Sequence, residues 1–286
     1  MDPLGGGSGV SRPVLVVGAT GKTGRAVATA LLARGVPVRA AVRAGREDSV
    51  PPGTTPAVVD LVSGLGLDAA LDGAAAAYHL APNVHPDEVG IAARVADAAA
   101  AAGLPRLVFH SVLHPRDTRM PHHLRKAEAE SLLREVLGER VTVLRPAAYH
   151  QNLLGPARAG VLRVPYSLDA PFTNVDLRDV AEVAADALAG QHAGTALDLA
   201  GPEVLTTRVL AEQAARALGR PVAAVRQGLD AWLAGPGAGL GEQARHDLAA
   251  MFRAYDDGGL VGDVTALTRV LGRAPVAWAH AVAASR

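Results

Sequence analysis

The chain has 286 residues, enough for one large core or for two lobes. Its 28 basic and 28 acidic residues balance, so the composition gives no electrostatic footprint for nucleic acid or an anionic membrane and favours a small-molecule partner. The absence of cysteine excludes disulfides, thiolate catalysis and cysteine-based metal sites, and it suits a reducing cytoplasm.

The N-terminal tract, residues 1–11, is rich in glycine and lacks the basic and then apolar run of a secretory signal, so we expect a flexible tail. The most apolar helix-like stretch, residues 91–102, is interrupted by Arg94 and Asp97, which argues against a membrane span. We therefore expect a soluble cytoplasmic monomer or homodimer that binds neither membrane nor nucleic acid.

A strand, a glycine turn, a helix and a second strand are predicted in succession between residues 14 and 43. The run at 14–17 is apolar and β-branched, as in a strand buried on both faces. Gly18, Gly21 and Gly24 then recur at every third position, where the backbone turns, approaches a ligand and packs a helix on the sheet. Such a turn aims unpaired N–H groups and the positive end of a helix dipole at one point, which predicts a site for a dinucleotide.

Two other interpretations of this turn are open. A triphosphate-binding loop ending in Gly21-Lys22-Thr23 needs another glycine five positions before Gly21, and Val16 stands there. A turn that merely connects two buried elements is the second alternative. The predicted diphosphate site consists of Gly18, Thr20, Gly21, Lys22, Thr23 and Gly24.

The residue that follows the second strand distinguishes the two nicotinamide dinucleotides. An acidic residue there accepts hydrogen bonds from a ribose hydroxyl, whereas an arginine pairs with a 2′-phosphate. This chain has Arg43, with Lys22 and Arg46 adding positive charge nearby, so NADP(H) is favoured over NAD. The alternative is that Arg43 is a solvated charge at the end of a strand.

Strands and helices continue to alternate up to residue 144, which predicts an α/β fold with a doubly wound parallel sheet. Asp60 and Leu61 follow the third strand, where an adenine ring can be flanked. Leu80 ends the fourth strand and Ala81 and Pro82 follow it, where open parallel sheets bind ligands. The predicted elements are strands near 56–59, 74–80, 106–110 and 141–144 and helices near 65–71, 86–102 and 122–137.

Beyond residue 146 the predicted strands and helices no longer alternate regularly. We predict a short helix over 147–154 that carries Tyr149, a loop-rich cover over 155–171, a strand at 172–175, a helix at 177–188 and a strand at 195–199. The remainder is predicted to be mostly helical, with helices at 206–218 and 243–256 and a mobile Gly-rich segment at 229–241. The cofactor domain is thus residues 12–150 with 172–200, and the substrate lobe is 151–171 with 201–286.

Ser111, His122, Lys126 and Tyr149 are expected near the carboxyl edge of the sheet. His122 and Lys126 are four residues apart on one predicted helix, so they share a face. Lysine here can hold the nicotinamide ribose, an imidazole can exchange a proton near neutral pH, and Ser111 can polarise the acceptor. Lysine otherwise occurs only at Lys22, which draws attention to both positions.

Plainer interpretations of these residues are also open. Lys126 can be an exposed residue that pairs with Glu130, His122 can be solvated at a helix start, and Tyr149 can simply pack. The histidines at 110, 114, 122 and 123 lack a metal-binding pattern, so no metal site is predicted. Candidate residues of an apolar substrate pocket are His114, Tyr149, Phe172, Trp232 and Phe252.

Several of these segments together resemble the NmrA-like branch of the atypical short-chain dehydrogenase/reductases. They are GATGKTG after the first strand, Arg43, SVLHP at 111–115, PHHLRKAEAE at 121–130, LRPAAYHQNL at 144–153, VDLRDVAEVAADAL, YDDGGLVGD and LGRAP. The similarity extends over almost the whole chain. It implies an NADP-preferring Rossmann protein whose smaller, mostly helical C-terminal lobe closes over the nicotinamide.

The chain departs from the superfamily at one motif. Where the superfamily has a Y-x-x-x-K pair, this chain has His122 in the place of the tyrosine and keeps Lys126. Three alternatives follow. Either His122 or water supplies the proton, or the substrate, such as a quinone or enone, needs little proton donation from the protein, or no reaction occurs.

Three functions follow from this resemblance. The first is an NADPH-dependent reductase of a small carbonyl, quinone or polycyclic aromatic substrate, in which Lys126 orients the ribose. The second is a non-catalytic NADP-binding redox sensor that docks on another protein. The third is a cofactor-assisted isomerase or cyclase.

Overall fold

The computed structural model describes residues 12–285, so the tail predicted over residues 1–11 lies outside the described residues. Within 12–285 a seven-stranded sheet has the strand order β3-β2-β1-β4-β5-β6-β8. Its strands are β1 (Val14–Val16), β2 (Val38–Val42), β3 (Thr55–Val58), β4 (Ala76–His79), β5 (Leu107–His110), β6 (Val141–Pro146) and β8 (Ala196–Leu199). The pairings from β3 through β6 are all parallel, which confirms the predicted doubly wound α/β fold.

The order 3-2-1-4-5-6 reverses direction between β1 and β4, and at such a reversal an open parallel sheet binds its ligand. The helices that connect these strands are α1 (Lys22–Ala33), α2 (Leu67–Leu71), α3 (Glu88–Ala101), α4 (Pro121–Leu137) and α6 (Leu177–Leu188). Strand β1 is fully buried because a parallel sheet covered by helices on both faces keeps water from either side of its strands.

The described residues divide into two compact units. Unit 1 consists of the chain up to Ser111 together with Arg125–Arg145 and Val180–Leu197, and unit 2 contains Val112–Leu124, Pro146–Asp179 and the chain from Asp198 onward. The sequence places residues 112–124 and 172–179 in the cofactor domain, whereas they group with unit 2. Residues 112–124 do so partly because Leu113 donates its N–H to the carbonyl of Pro146 at 3.0 Å.

The core of unit 1 fills the space between the sheet and its helices. Strand residues such as Leu15 and Phe109 pack in one buried cluster with Val95 of α3 and Leu133 of α4. These side chains lie on the helix faces that the 3.6-residue period directs toward the sheet. The cluster holds α3 and α4 against β4 and β5, the strands whose ends carry the candidate site.

Unit 2 has its own small parallel sheet and its own core. The sheet pairs β7 (Val161–Val164) with β9 (Ala223–Arg226), and the helices are α5 (Leu154–Arg158), α7 (Thr207–Leu218), α8 (Leu229–Ala234), α9 (Glu242–Gly258), α10 (Ala266–Leu271) and α11 (Trp278–Ala284). Trp278 is fully buried in the core and donates its indole N–H to the carbonyl of Leu210 at 2.8 Å. Thr206 caps α7 through a side-chain hydrogen bond, as its position before a helical pattern predicts.

Three sequence expectations in unit 2 need correction. Tyr149 has an extended backbone instead of a helical one, because the segment pairs with Val175, whose N–H donates to the carbonyl of Ala148 at 2.9 Å. The predicted cover over 155–171 contains α5 and β7, and the predicted strand at 172–175 is reduced to isolated bridges. The Gly-rich segment at 229–241 contains α8, after which Gly237 donates its N–H to the carbonyl of Trp232.

Among residues 12–285, every helix is too short or too polar to cross a lipid bilayer.

Candidate functional site

The turn between β1 and α1 is built so that the helix starts directly against the strand end. Gly18 has φ of 76°, a conformation that favours glycine, and it lies beside the side chain of Leu80 at the end of β4. A Cβ on Gly24 would lie 2.2 Å from the carbonyl oxygen of Gly18, so only glycine lets α1 approach this closely. The N–H of Gly21 donates to the same oxygen at 2.9 Å and closes the turn.

The start of α1 has the properties of an anion site. Among the described residues no side chain caps this helix, so its first N–H groups keep their hydrogen-bonding capacity for a ligand. Thr20, Gly21 and Lys22 are exposed at the turn, whereas Thr23 is buried. Backbone donors, the helix dipole and the Lys22 ammonium therefore favour a diphosphate at this point.

Positive charge lies where the sequence predicts the 2′-phosphate. Arg43 follows β2 directly and is exposed, as is Arg46. Within residues 12–285 the guanidinium of Arg43 has no carboxylate partner. Arg25, which no sequence pattern singled out, donates to the carbonyl of Thr20 at 3.0 Å and to that of Ser49 at 2.7 Å. Arg25 thereby connects the glycine turn to the loop after β2.

The segments after β3 and β4 differ in what they offer a ligand. The exposed Asp60 carboxylate accepts hydrogen bonds from the N–H of Val62 at 2.9 Å and the hydroxyl of Ser63 at 2.7 Å, and these bonds lower its pKa. Asp60 thus shapes its own loop, and Leu61 beside it is half-buried. Leu80 lies against Gly18, while the roles of Asp60, Leu61, Leu80, Ala81 and Pro82 toward adenine or nicotinamide stay predictions.

Lys126 is buried on α4 and forms an ion pair inside unit 1. Its Nζ lies 2.8 Å from Glu88 Oε1 at the start of α3 and donates to the carbonyl of His110 at 3.1 Å. It also lies 5.0 Å from the centre of the Phe109 ring. The alternative of an exposed Lys126 that pairs with Glu130 is therefore wrong.

Glu130 has a different set of partners. It accepts a hydrogen bond from the hydroxyl of Ser111 and another from Arg145 Nε at 3.0 Å. Ser111 is buried and its only hydroxyl hydrogen is directed to this carboxylate, so the structure gives it a structural bond instead of the predicted donation to a substrate. Glu88 and Arg145 were not recognised in the sequence as part of this site, and Glu130 was considered only as a partner of Lys126.

The buried groups around Lys126 balance in charge, because two cations, Lys126 and Arg145, face two carboxylates, Glu88 and Glu130. Burial lowers the pKa of Lys126, and the neighbouring Glu88 raises it, which favours the charged ammonium. The ion pair thus opposes the desolvation that otherwise favours a neutral lysine.

His79, the last residue of β4, is a neutral imidazole in this region. It is fully buried and stacks on Phe109 with ring centres 5.5 Å apart. Burial, followed by the charge of Lys126, lowers the pKa of His79 to about 3. Within residues 12–285 neither ring nitrogen has a hydrogen-bond partner.

The two predicted site histidines, His114 and His122, belong to unit 2, whereas His79 was not predicted. His122 is buried, not solvated, and its ring meets that of His123 edge to face at 5.8 Å. His114 is exposed, has φ of 53°, and places Nε2 2.7 Å from the carbonyl oxygen of Val261. His114 therefore fixes its own loop, and its role toward substrate stays a prediction.

The predicted aromatic pocket residues separate into different surroundings. Phe172 is buried and packs on Tyr166 and Tyr255 at ring distances of 5.0 and 5.2 Å. Trp232 packs edge to face on Phe252 at 4.8 Å, and Phe252 lines a cavity of about 350 Å³ in unit 2. Phe172, Trp232, His114 and the half-buried Tyr149 do not line that cavity. Tyr166 and Tyr255 were not recognised in the sequence.

The model of the NmrA-like family matches residues 11–285 of this chain. The chain belongs to the NmrA-like family. The resemblance drawn from its motifs is thereby confirmed over almost its whole length. Membership agrees with the glycine turn, the uncapped α1 and the 3-2-1-4-5-6 strand order described above.

A curated relative of this NmrA-like protein is the (4-alkanoyl-5-oxo-2,5-dihydrofuran-3-yl)methyl phosphate reductase of Streptomyces griseus. The two are 39% identical over 228 residues, which is 76% of this chain and 78% of the relative.

Solved structures with the same fold include the NADPH-dependent quinone oxidoreductase of Escherichia coli in complex with NADPH. It is 24% identical, with a TM-score of 0.79 over 95% of this chain and 99% of that one. The triphenylmethane reductase of a Citrobacter species, in complex with NADP(H), is 20% identical, with a TM-score of 0.79 over 96% and 100% of the two chains.

Proposed function

We propose that this NmrA-like protein is an NADPH-dependent reductase of a small acceptor in which a carbon–carbon double bond is conjugated to carbonyl groups, as in a quinone or enone. The observation that carries the proposal is the glycine turn and uncapped start of α1, followed by the exposed Arg43 at the end of β2. A family relative that is 39% identical and named a reductase supports the chemistry.

The residues of unit 1 fit the cofactor. The exposed turn at Thr20 and Gly21 and the first N–H groups of α1 would hold the diphosphate, and Lys22 and Arg43 would pair with the 2′-phosphate. NADPH, when bound, supplies the hydride. The absence of side chains at Gly18 and Gly24 lets α1 start directly against the end of β1, and no side chain caps the helix among the described residues.

Lys126 is proposed to hold the ribose next to the nicotinamide. An ammonium has three N–H donors, and within the described residues two are used, by Glu88 and by the carbonyl of His110. The third is then available for a ribose hydroxyl. Glu88 acts as a positioning residue, since it keeps the buried lysine charged and fixes the direction of its Nζ.

The name of the curated relative indicates the class of acceptor. The relative's name describes a ring double bond with a ring carbonyl and an alkanoyl group on one carbon. Hydride that adds to the other carbon of the double bond leaves a negative charge shared by two carbonyl oxygens. A strong acid on the protein is therefore not required to stabilise this charge. This fits a chain in which Ser111 is bonded to Glu130 and in which His122 replaces the superfamily's tyrosine.

A kinetic panel tests this function. Oxidation of NADPH is followed with quinones, alkanoyl butenolides and simple aromatic ketones, and we expect turnover with the first two groups. Lys126→Ala should lower kcat/KM by a factor on the order of 100 by removing a charge-assisted hydrogen bond and the order it imposes. Glu128→Ala, on the exposed side of the same helix, is the control and should leave it unchanged.

A different outcome would favour the redox-sensor interpretation. NADPH that binds but is consumed with no acceptor of the panel would overturn the proposed reductase. A cytoplasmic location and a monomeric or homodimeric state stay predictions from composition.

A further inference from the structure

A second candidate binding site lies within unit 2, at the ends of its two-stranded sheet. The cavity of about 350 Å³ opens beyond the carboxyl ends of both strands: Pro165 follows β7, and Gln227 and Gly228 follow β9. Ligands of parallel sheets bind outside the carboxyl ends of the strands, so its position is that of a ligand site. The remaining lining residues are Arg226, Leu229, Phe252, Arg253 and Asp256.

The charged groups of this cavity favour an anion. Arg226 donates to Asp256 at 2.7 Å, so these two side chains compensate each other. Arg253 forms no ion pair within residues 12–285, which leaves the cavity one net positive charge. Each guanidinium has five N–H donors, so Arg226 keeps donors for a ligand while it contacts Asp256.

The cavity lining also has an apolar part, centred on Phe252. The Phe252 ring packs against Trp232 at 4.8 Å and against Tyr166 at 6.1 Å, so neighbouring aromatic residues fix its orientation. Pro165 and Leu229 add to this apolar part. A ligand that joins a small ring or acyl group to an anionic group has partners for both its parts in this lining.

We infer that this cavity binds the phosphate monoester end of a small cyclic or acyl substrate, with the phosphate on Arg253 and Arg226 and the apolar part on Phe252. The assignment rests on the proposed function in naming the reductase substrate, because a phosphorylated acceptor of that class has this combination of groups. Arginine suits the task, since its planar fork pairs with two phosphate oxygens at once.

The inference can be tested without cofactor, using phenyl phosphate as the probe. The chain has two tryptophans, and Trp278 is fully buried, so binding beside Phe252 should alter the emission of Trp232. Trp232→Phe should abolish the signal. We expect saturable binding of phenyl phosphate, little response to benzyl alcohol, and binding weaker on the order of tenfold in Arg253→Gln. Arg216→Gln, an exposed arginine on α7, should bind like the wild type.

Two outcomes would overturn the inference: no binding of phenyl phosphate at millimolar concentration, or equal affinity in the wild type and Arg253→Gln. Circular dichroism of each variant confirms that it is folded. A wild type that binds phenyl phosphate but oxidises no NADPH would contradict the proposed reductase and leave this site standing. Turnover of quinones together with unchanged binding of phenyl phosphate in Arg253→Gln would contradict this site and leave the proposed reductase standing.

Discussion

Glu88 and Lys126, 38 residues apart in the chain, form a buried ion pair with 2.8 Å between Oε1 and Nζ. Neither group is exposed, and the ammonium depends on the carboxylate to remain charged, because burial lowers the pKa of Lys126 and Glu88 raises it. The pair connects the start of α3 to α4 and directs the ammonium toward the carboxyl ends of the strands, where it donates to the carbonyl of His110. The proposed role of Lys126 therefore depends on Glu88.

Replacing Glu88 by glutamine should change how NADPH binding depends on pH. Burial lowers the pKa of Lys126 and Glu88 raises it, so Glu88→Gln lowers that pKa further. Lysine is charged below its pKa, and the loss of NADPH affinity on raising the pH should therefore begin at a lower pH in the variant. Titrations of NADPH across the alkaline range test this, with Glu88→Asp expected to restore part of the wild-type profile. Superimposable profiles for wild type and Glu88→Gln would show that Glu88 has only a structural role.

Removing only the lysine should destabilise the fold. Lys126→Met leaves the Glu88 carboxylate buried without its cation, which costs roughly 3–5 kcal/mol in the free energy of unfolding. The double variant Lys126→Met/Glu88→Gln should recover a substantial part of that loss, because no unpaired charge remains. Urea denaturation of both variants measures the difference, and equal stability of single and double variant would contradict the pairing.

We expect the protein to lose stability in acid because His79 and His110 are buried. Burial and the charge of Lys126 lower the pKa of His79 and of His110 to about 3, against 6.5 for an ordinary histidine. Between these values the unfolded chain binds protons that the folded chain does not, so the free energy of unfolding falls by roughly 1.4 kcal/mol per pH unit for each histidine as the pH drops below 6.5.

Urea denaturation on either side of that pH provides the measurement. His79→Leu should reduce the fall in the free energy of unfolding per pH unit by about the contribution of one histidine. Arg216→Gln, at an exposed position on α7, is the control and should leave the slope unchanged. A slope in His79→Leu equal to that of the wild type would contradict a neutral, buried His79.

A methyl group at Gly24 should disrupt the start of α1. Its Cβ would lie 2.2 Å from the carbonyl oxygen of Gly18 and 2.8 Å from the Cα of Ala19, and both contacts are with backbone that cannot rotate away. We expect Gly24→Ala to lose NADPH binding and about 1–3 kcal/mol of stability. Gly155→Ala, where nothing lies within 4 Å, should have no effect on binding. Normal NADPH affinity in Gly24→Ala would place the cofactor elsewhere.

Arg43 should set the preference between the two dinucleotides. Arg43→Ala removes a guanidinium from the end of β2 and should weaken NADPH on the order of tenfold or more, while NADH affinity stays nearly constant. Calorimetric titration of both cofactors measures the ratio, and the exposed Arg216→Ala is the control. An unchanged ratio would show that another group contacts the 2′-phosphate.

The sheet of unit 1 was predictable because local patterns determine it. Strands buried on both faces are short apolar runs, and a glycine turn between a strand and a helix leaves few alternatives. In contrast, β7 and β9 are partly exposed, and β9 reads Ala-Ala-Val-Arg without alternation. Their pairing depends on residues about sixty positions apart, so no local pattern reveals it.

The candidate site was predictable only in part. Gly18, Arg43 and Lys126 belong to motifs with fixed spacing, whereas the partners that define their surroundings come from distant segments. Glu88 is one example, and Glu130, which takes the hydroxyl of Ser111, is another. A carboxylate on a helix is usually a solvated charge, so only the three-dimensional structure distinguishes these two from the others.

The central claim is that hydride passes from NADPH to a carbonyl-conjugated acceptor on this protein. The most direct measurement is mass spectrometry of the product formed with NADPH deuterated at its transferable position. We expect one deuterium on carbon in the reduced butenolide, with NADP formed in equal amount. Saturable binding of NADPH with no deuterium in the butenolide and no NADP formed would contradict the claim.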